Sequence, residues 1–324
     1  MKQKSYKKVD TIPVISALLA LVVFVVISLV KNFESPIKTR VINNEEIEII
    51  KYNSDSSKVT IPVTIKNRKV TSIADGAFMG PIRETIELPN TIKNIGPRNY
   101  LRASDVYFDG TIEQWLQITF SGQVFNYSQS NLYLIDENGT VTHNNKQYSL
   151  FENLVVPSSI TTIKSYAFAH LDSLVSVDTG DGVTTIENDA FFYANVSESF
   201  KHLTLGANVT TIGNNAFRKC YGLEDVTLND RLEYIGANAF ELTKAEYFVL
   251  LLSVQYIGDK AFSNTKIYYK GTNSDWEAIE KVETSLYNCQ LYFYSEGAPL
   301  IEGNYWHYDN DGNPVVWDLY TAGD

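Results

Sequence analysis

The chain has 324 residues, with 38 Asp and Glu against 27 Lys and Arg and a formal net charge of -11. Residues 1–40 carry seven basic groups against Asp10 and Glu34, which leaves 20 basic and 36 acidic groups in the remaining 284 residues, a net of -16. So acidic a surface excludes nucleic acid and anionic lipid as natural partners, and two cysteines 69 residues apart, Cys220 and Cys289, make neither a disulfide framework nor a zinc site.

From Ile12 to Val30 nineteen residues pass without a charge, and fourteen of them are Leu, Ile, Val or Phe. As a helix they reach about 28 Å, the hydrocarbon thickness of a bilayer. The run predicts a transmembrane signal-anchor helix over 12–30. Lys2, Lys4, Lys7 and Lys8 precede it, so 1–11 is expected in the cytoplasm and the rest outside, a single-pass protein of the plasma membrane. A cleaved signal peptide is the rival reading, but the run is long for one and no A-x-A site precedes Lys31.

Residues 31–40 read as a tether, and 41–100 as an N-terminal cap with the first repeats. Val41–Ile50 and Ser57–Ile65 are expected strands around the turn residues 52–56. Ile73 with Ala77-Phe78 is a first copy of a motif, and Ile95 with Asn99-Tyr100 a worn one. Over 101–152 the rhythm lapses, which predicts an inserted module. It should hold a short helix over 111–118 capped by Thr111, then a hairpin on Asn138-Gly139 between 132–135 and 140–142.

From Asn153 to Thr265 the motif is written five times. Ile163, Ile186, Ile212, Ile235 and Ile257 each stand five residues before Phe168, Phe191, Phe217, Phe240 and Phe262, and each Phe follows an alanine. The Phe-to-Phe steps are 23, 26, 23 and 22 residues, the period of stacked solenoid units. Leu154-Val155-Val156, Leu203-Thr204-Leu205, Val226-Thr227-Leu228 and Phe248-Val249-Leu250 lie nine to seven residues before their isoleucine, as Ile86-Glu87-Leu88 does earlier. Apolar residues flank a centre of opposite facing, so each triplet predicts a short strand. A single unit cannot bury enough apolar surface to fold alone, so the array must stack and be capped. Residues 266–324 complete it with a second inserted-type module and a C-terminal cap. There Asp309, Asp311 and Asn313 read as a hairpin turn rather than half a calcium loop, because the EF-hand spacing is missing.

No G-x-S-x-G, H-E-x-x-H, phosphate-binding G-x-x-x-x-G-K or C-x-x-C occurs, and the four histidines lack ligand spacing. No enzyme, metal or cofactor is expected. Ten residues before the marker isoleucines stand Thr85, Asn153, His202, Asp225 and Tyr247. His202 and Asp225 come from successive repeats and should touch, but those five residues include no serine or cysteine to act as nucleophile. The adjoining outward column is Glu87, Val155, Thr204, Thr227 and Val249, small and mostly uncharged. The candidate ligand-facing residues are therefore Glu87, Val155, His202, Thr204, Asp225, Thr227, Tyr247 and Val249.

The run Val209 to Cys220, V-T-T-I-G-N-N-A-F-R-K-C, resembles the BspA-like leucine-rich repeat family of bacterial surface proteins. Ile61 to Ile73 is similar to the first repeat of that family, Val106 to Trp115 and Ile267 to Trp276 to a recurring inserted module, and Tyr294 to Trp317 to its ending. The resemblance implies a right-handed leucine-rich-repeat solenoid of short parallel β-strands, turns and short helical segments. It also implies recognition of a surface protein or glycan, with adhesion as the concrete expectation. The alternative is an envelope scaffold for the cell's own proteins, and an extracellular hydrolase is a distant third. Sequons begin at Asn126, Asn138, Asn195 and Asn208, but the bacterial character of the family the chain resembles makes them uninformative.

Overall fold

The Ala-Phe punctuation lies inside the coils, as its spacing requires. In the computed structural model, which describes residues 35–81, 83–99, 103–123, 125, 130–194, 197–299 and 303–317, the five phenylalanines of the array are fully buried. Phe168, Phe191, Phe217, Phe240 and Phe262 stack face to face at 5.2, 5.0, 5.4 and 5.6 Å between centroids. That interval follows the roughly 4.8 Å step of a strand ladder. The predicted membrane helix and basic segment, Tyr100 of the worn repeat, and the sequons at Asn126 and Asn195 lie outside the described residues.

Each coil turns its corner on left-handed residues. The position before the alanine (Tyr166, Asp189, Asn215, Asn238, Lys260) and the second after the phenylalanine (His170, Tyr193, Lys219, Leu242, Asn264) have φ between +49 and +64. Asn and Asp accept this region most readily of the non-glycine residues, which accounts for the asparagines of the repeat.

Two parallel ladders run along a solenoid of about ten turns. Ladder A carries the strand triplets: Asn153–Val155, Ser176–Asp178, His202–Thr204 and Asp225–Thr227 hydrogen-bond in sequence. Ladder B carries the marker isoleucines, with Ile163, Ile186, Ile212, Ile235 and Ile257 in one register. All five are buried in a core continuous from Ile47 to Ile279.

The ends depart from the sequence expectation. The tether over 31–40 already contains strand Ile37–Val41, which pairs antiparallel with Glu46–Tyr52. The first hairpin therefore precedes the turn residues 52–56, and Glu46–Tyr52 starts ladder B by pairing with Arg68–Ile73. The module expected over 101–152 does not interrupt the stack at its start. Ala103–Asp109 extends ladder A from Arg83–Pro89, Thr119–Phe120 extends ladder B, and helix Ile112–Gln117 takes the place of a loop between them. Thr111 caps that helix in a capping box with Gln114. The second copy is built the same way, with strand Lys266–Tyr269 and helix Asn273–Glu277 capped by Thr272 with Asp275.

In both copies the tryptophan turns inward against an aromatic of the strand. Trp115 meets Phe108 at 5.3 Å and Trp276 meets Tyr269 at 5.2 Å, each edge to face. The intervening glycine is obligatory: a Cβ on Gly110 or Gly271 would lie 2.5 Å from that ring. The expected hairpin on Asn138-Gly139 does not form. Val141–His143 pairs instead with Lys146–Leu150, because Asn144 and Asn145, at φ +48 and +63, supply the two left-handed residues of a tight hairpin turn.

Candidate binding face

Side chains that alternate away from the core of ladder A form its outward face, and the two ends of that face are covered. At the first end the hairpin 141–150 folds over strands 58–60, 85–89 and 103–109. His143 stacks on Tyr107 with ring centroids 3.9 Å apart. Beneath it Glu87 is 3% exposed, which removes it from the ligand-facing column. Asn144 Nδ2 donates to Glu87 Oε2 at 2.6 Å, Lys146 Nζ to Oε1 at 3.0 Å and Thr60 Oγ1 to Oε2 at 3.1 Å. Burial raises the pKa of this carboxylate, but the Asn144 and Lys146 hydrogen bonds outweigh it and hold the group below its ordinary value. Lys146 also pairs with Asp109, and the Tyr148 hydroxyl donates to the same carboxylate. A pattern of alternation could not show this cover, because the covering strand comes from 60 residues downstream.

At the other end the tail closes the array. Tyr305–Tyr308 adds to ladder A and turns back through Asp309, whose Oδ1 accepts the Asp311 and Asn313 amides, into Pro314–Val316. The Asp309 carboxylate is spent on the backbone of a hairpin, as its spacing predicts. Trp306 is fully buried, donates Nε1 to the Tyr269 carbonyl at 3.0 Å, and covers Tyr268 at 5.3 Å.

Between these covers four strands remain open, spanning roughly 14 Å from first to last. Their outward side chains include Val155, 65% exposed, and the exposed Thr204, Asp225 and Thr227. His202 and Asp225 pair in register, with Nδ1 2.9 Å from Oδ2, and both are open to solvent. Tyr247 is 40% exposed beyond the last of the four, and Val249 beside it is half-buried.

The sequence spacing passes over one strand of this face. Ser176–Asp178, whose central Val177 stands nine residues before Ile186 as the rule requires, places Ser176 beside His202 and Asp178 beside Thr204. A serine therefore stands in the His202 column, and the face is more acidic than expected. Ser176 Oγ donates to Asn153 Oδ1 at 2.7 Å, on the side away from His202. The signal was available in Val177 and Ile186, but the polar Asp178-Thr179 after Val177 breaks the apolar flank that marks the other triplets.

Among the described residues no ladder bond joins Asp225–Thr227 to Tyr247–Leu250, the next strand of ladder A. The gap is a cleft of about 600 Å³ lined by Glu224, Asp225, Val226, Thr227, Lys244, Glu246 and Tyr247. A hydrogen bond from Lys201 at 2.6 Å holds the Glu224 pKa below its ordinary value.

No curated protein matches the chain. Among solved structures, a leucine-rich repeat protein from Bacteroides ovatus is similar over 81% of this chain and 72% of its own, at 17% identity and a TM-score of 0.50. A leucine rich cell surface protein from Faecalibacterium prausnitzii matches 76% of this chain and 97% of its own at 16% identity, with a TM-score of 0.38. The pneumococcal vaccine antigen PcpA matches 81% and 93% at 15% identity, with a TM-score of 0.33. Identities this low speak to fold alone. The BspA type Leucine rich repeat region matches in six copies over residues 31–135 and 140–268. With most of its length matched and its coils stacked on the motif that defines the match, the chain belongs to the BspA-type leucine-rich repeat family.

Proposed function

We propose that the protein is a membrane-anchored cell-surface binding protein that recognises a protein or glycan through the open four-strand window of ladder A, and that its role is adhesion. The observation that supports this reading is the limited extent of the cover. Hairpin 141–150 and the tail bury the outward face at both ends and leave Val155, His202, Thr204, Asp225 and Thr227 in solvent between them. Small side chains on a rigid ladder make a flat surface whose shape is set before contact, which limits the entropy lost on binding. The anchor is 12–30, with the repeats outside the cell.

The test is retention of cells on immobilised host matrix proteins and glycans. Val155→Lys with Thr204→Lys should abolish retention while leaving the thermal midpoint unchanged, because both side chains are exposed. Retention that survives the double substitution rejects the window. No retention by the unaltered protein, together with co-purification of envelope proteins, favours the scaffold. Protease added to whole cells should remove the repeats and spare the first thirty residues; complete protection would reverse the topology.

A further inference from the structure

Among the described residues ladder A has two breaks. At the first, the edge of Asn131–Ile135 is paired by a strand of the same chain, Lys146–Leu150, running antiparallel. That strand brings Lys146 onto the carboxylates of Glu87 and Asp109. At the second, between Asp225–Thr227 and Tyr247–Leu250, no strand is inserted among the described residues.

The second break is local to one side of the solenoid. Ladder B passes through the same coils unbroken, Thr211 pairing with Tyr234 and Tyr234 with Tyr256. At the foot of the break the Lys244 amide still bonds the Leu223 carbonyl at 3.0 Å. The two strands therefore diverge from a joined base. Val226 belongs to the inward column of Leu154, Val177 and Leu203, all buried, yet it alone of the four is partly exposed and lines the cleft. Glu224, Asp225, Lys244 and Glu246 line the cleft, Glu198 and Lys201 join them through ion pairs, and Asp225 pairs with His202 on the neighbouring strand. Both lysines are engaged, Lys201 with Glu224 and Lys244 with Glu198.

We propose that this break is a docking slot for an extended segment of a partner protein that carries a Lys or Arg next to an apolar residue. The proposal rests on the surface-binding reading and names a partner chemistry at one edge of the same face. Strand edges recognise an extended chain through main-chain bonds, and alternate side chains give specificity. A segment seated against Asp225–Thr227 turns its side chain outward at the level of Asp225, inward at Val226 and outward again at Thr227. The outward basic group then lies between the Asp225 carboxylate and the Tyr247 ring, with Glu246 adjacent, where an ion pair and a cation–π contact act together. The inward apolar group covers Val226. The arrangement reproduces in trans what Lys146–Leu150 does in cis at the first break.

The probe is a fluorescein-labelled heptapeptide of threonine with one central lysine followed by one valine, titrated against the full chain. Saturable binding with a Kd below about 1 mM is expected. The Asp225→Lys, Glu246→Lys double variant and N-methylation of the valine amide should each weaken it by about tenfold or more. No saturation by about 1 mM overturns the proposal. So does binding indifferent to N-methylation, which is attachment by charge alone, or binding indifferent to the two reversals. If the peptide fails to bind while Val155→Lys with Thr204→Lys still abolishes retention, the slot falls and the surface-binding reading stands. If the peptide binds as expected and no surface retains the protein, the slot stands and the adhesive reading falls.

Discussion

His202 and Asp225 meet across neighbouring strands with Nδ1 2.9 Å from Oδ2, and Ser176 stands in register on the strand before them. Three residue types of a hydrolytic triad thus occupy successive rungs of one ladder. The order of the hydrogen bonds distinguishes this row from a catalytic one. A working serine gives its proton to the imidazole, whereas Ser176 Oγ donates to Asn153 Oδ1. The His202 and Asp225 side chains are 58% and 73% exposed, so water competes for every polar atom in the row. An exposed pair of this kind contributes between about 0 and 1 kcal/mol. Ser176→Ala, His202→Ala and Asp225→Ala should leave hydrolysis of p-nitrophenyl acetate at the rate of the unaltered protein and shift stability by no more than about 1 kcal/mol. A loss of measurable turnover in all three would make the row catalytic.

Glu87 ties the hairpin 141–150 to the ladder beneath it. Glu87→Gln removes the charge that Lys146 and Asn144 share and should cost about 1–3 kcal/mol, with faster amide exchange confined to residues 141–150. The native carboxylate is held below its ordinary value near 4.5, the hydrogen bonds outweighing burial. Its contribution is therefore present above about pH 4.5 and disappears as pH falls through the lower folded value. Exchange protection of the hairpin should drop at acid pH in the native chain. In Glu87→Gln that protection should be low already at pH 7.

His170 titrates in the opposite structural setting, a cation that burial forbids. It is 1% exposed, packed against Phe192 and Tyr193, and burial followed by the Lys219 charge pushes its pKa down from 6.5 to about 4. The unfolded chain takes up the proton first as pH falls, so this stability is complete above about pH 6.5 and is lost toward pH 4. Between pH 7 and pH 5 the loss comes to about 2 kcal/mol. Urea midpoints of His170→Phe should lack that decline, and parallel declines in the two proteins would remove His170 as its source.

Leu242 holds φ +62 at a coil corner and is 39% exposed. Asn264 occupies the same position one coil later at φ +55. A leucine pays the left-handed penalty without burying its side chain, whereas asparagine visits the region routinely. Leu242→Asn should stabilise the array by about 0.5–1 kcal/mol, read as a higher urea midpoint. A decrease would show that the Leu242 side chain has a packing role the corner does not reveal.

The inside of this protein was legible in its sequence. Ile212, Ala216 and Phe217 with their counterparts recur because every coil must fill the same section of core, and repetition writes that demand into the chain. The capping threonine Thr111 and the turn at Asp309 were readable for a related reason, since each acts on residues within a few positions of itself. The face was not legible in the same way. Period-two alternation tells which way Glu87, Val155 and Thr204 point from the core, and it is silent about what lies over them. Glu87 faces outward and is nonetheless buried, because Asn144 and Lys146 return from far along the chain. Val155 faces outward and is open because none of the described residues returns over it. The break beside Val226 likewise depends on how two coils diverge, which no spacing records. Local chemistry and core volume are encoded residue by residue, whereas cover and aperture are long-range relations, and those only the tertiary structure decided.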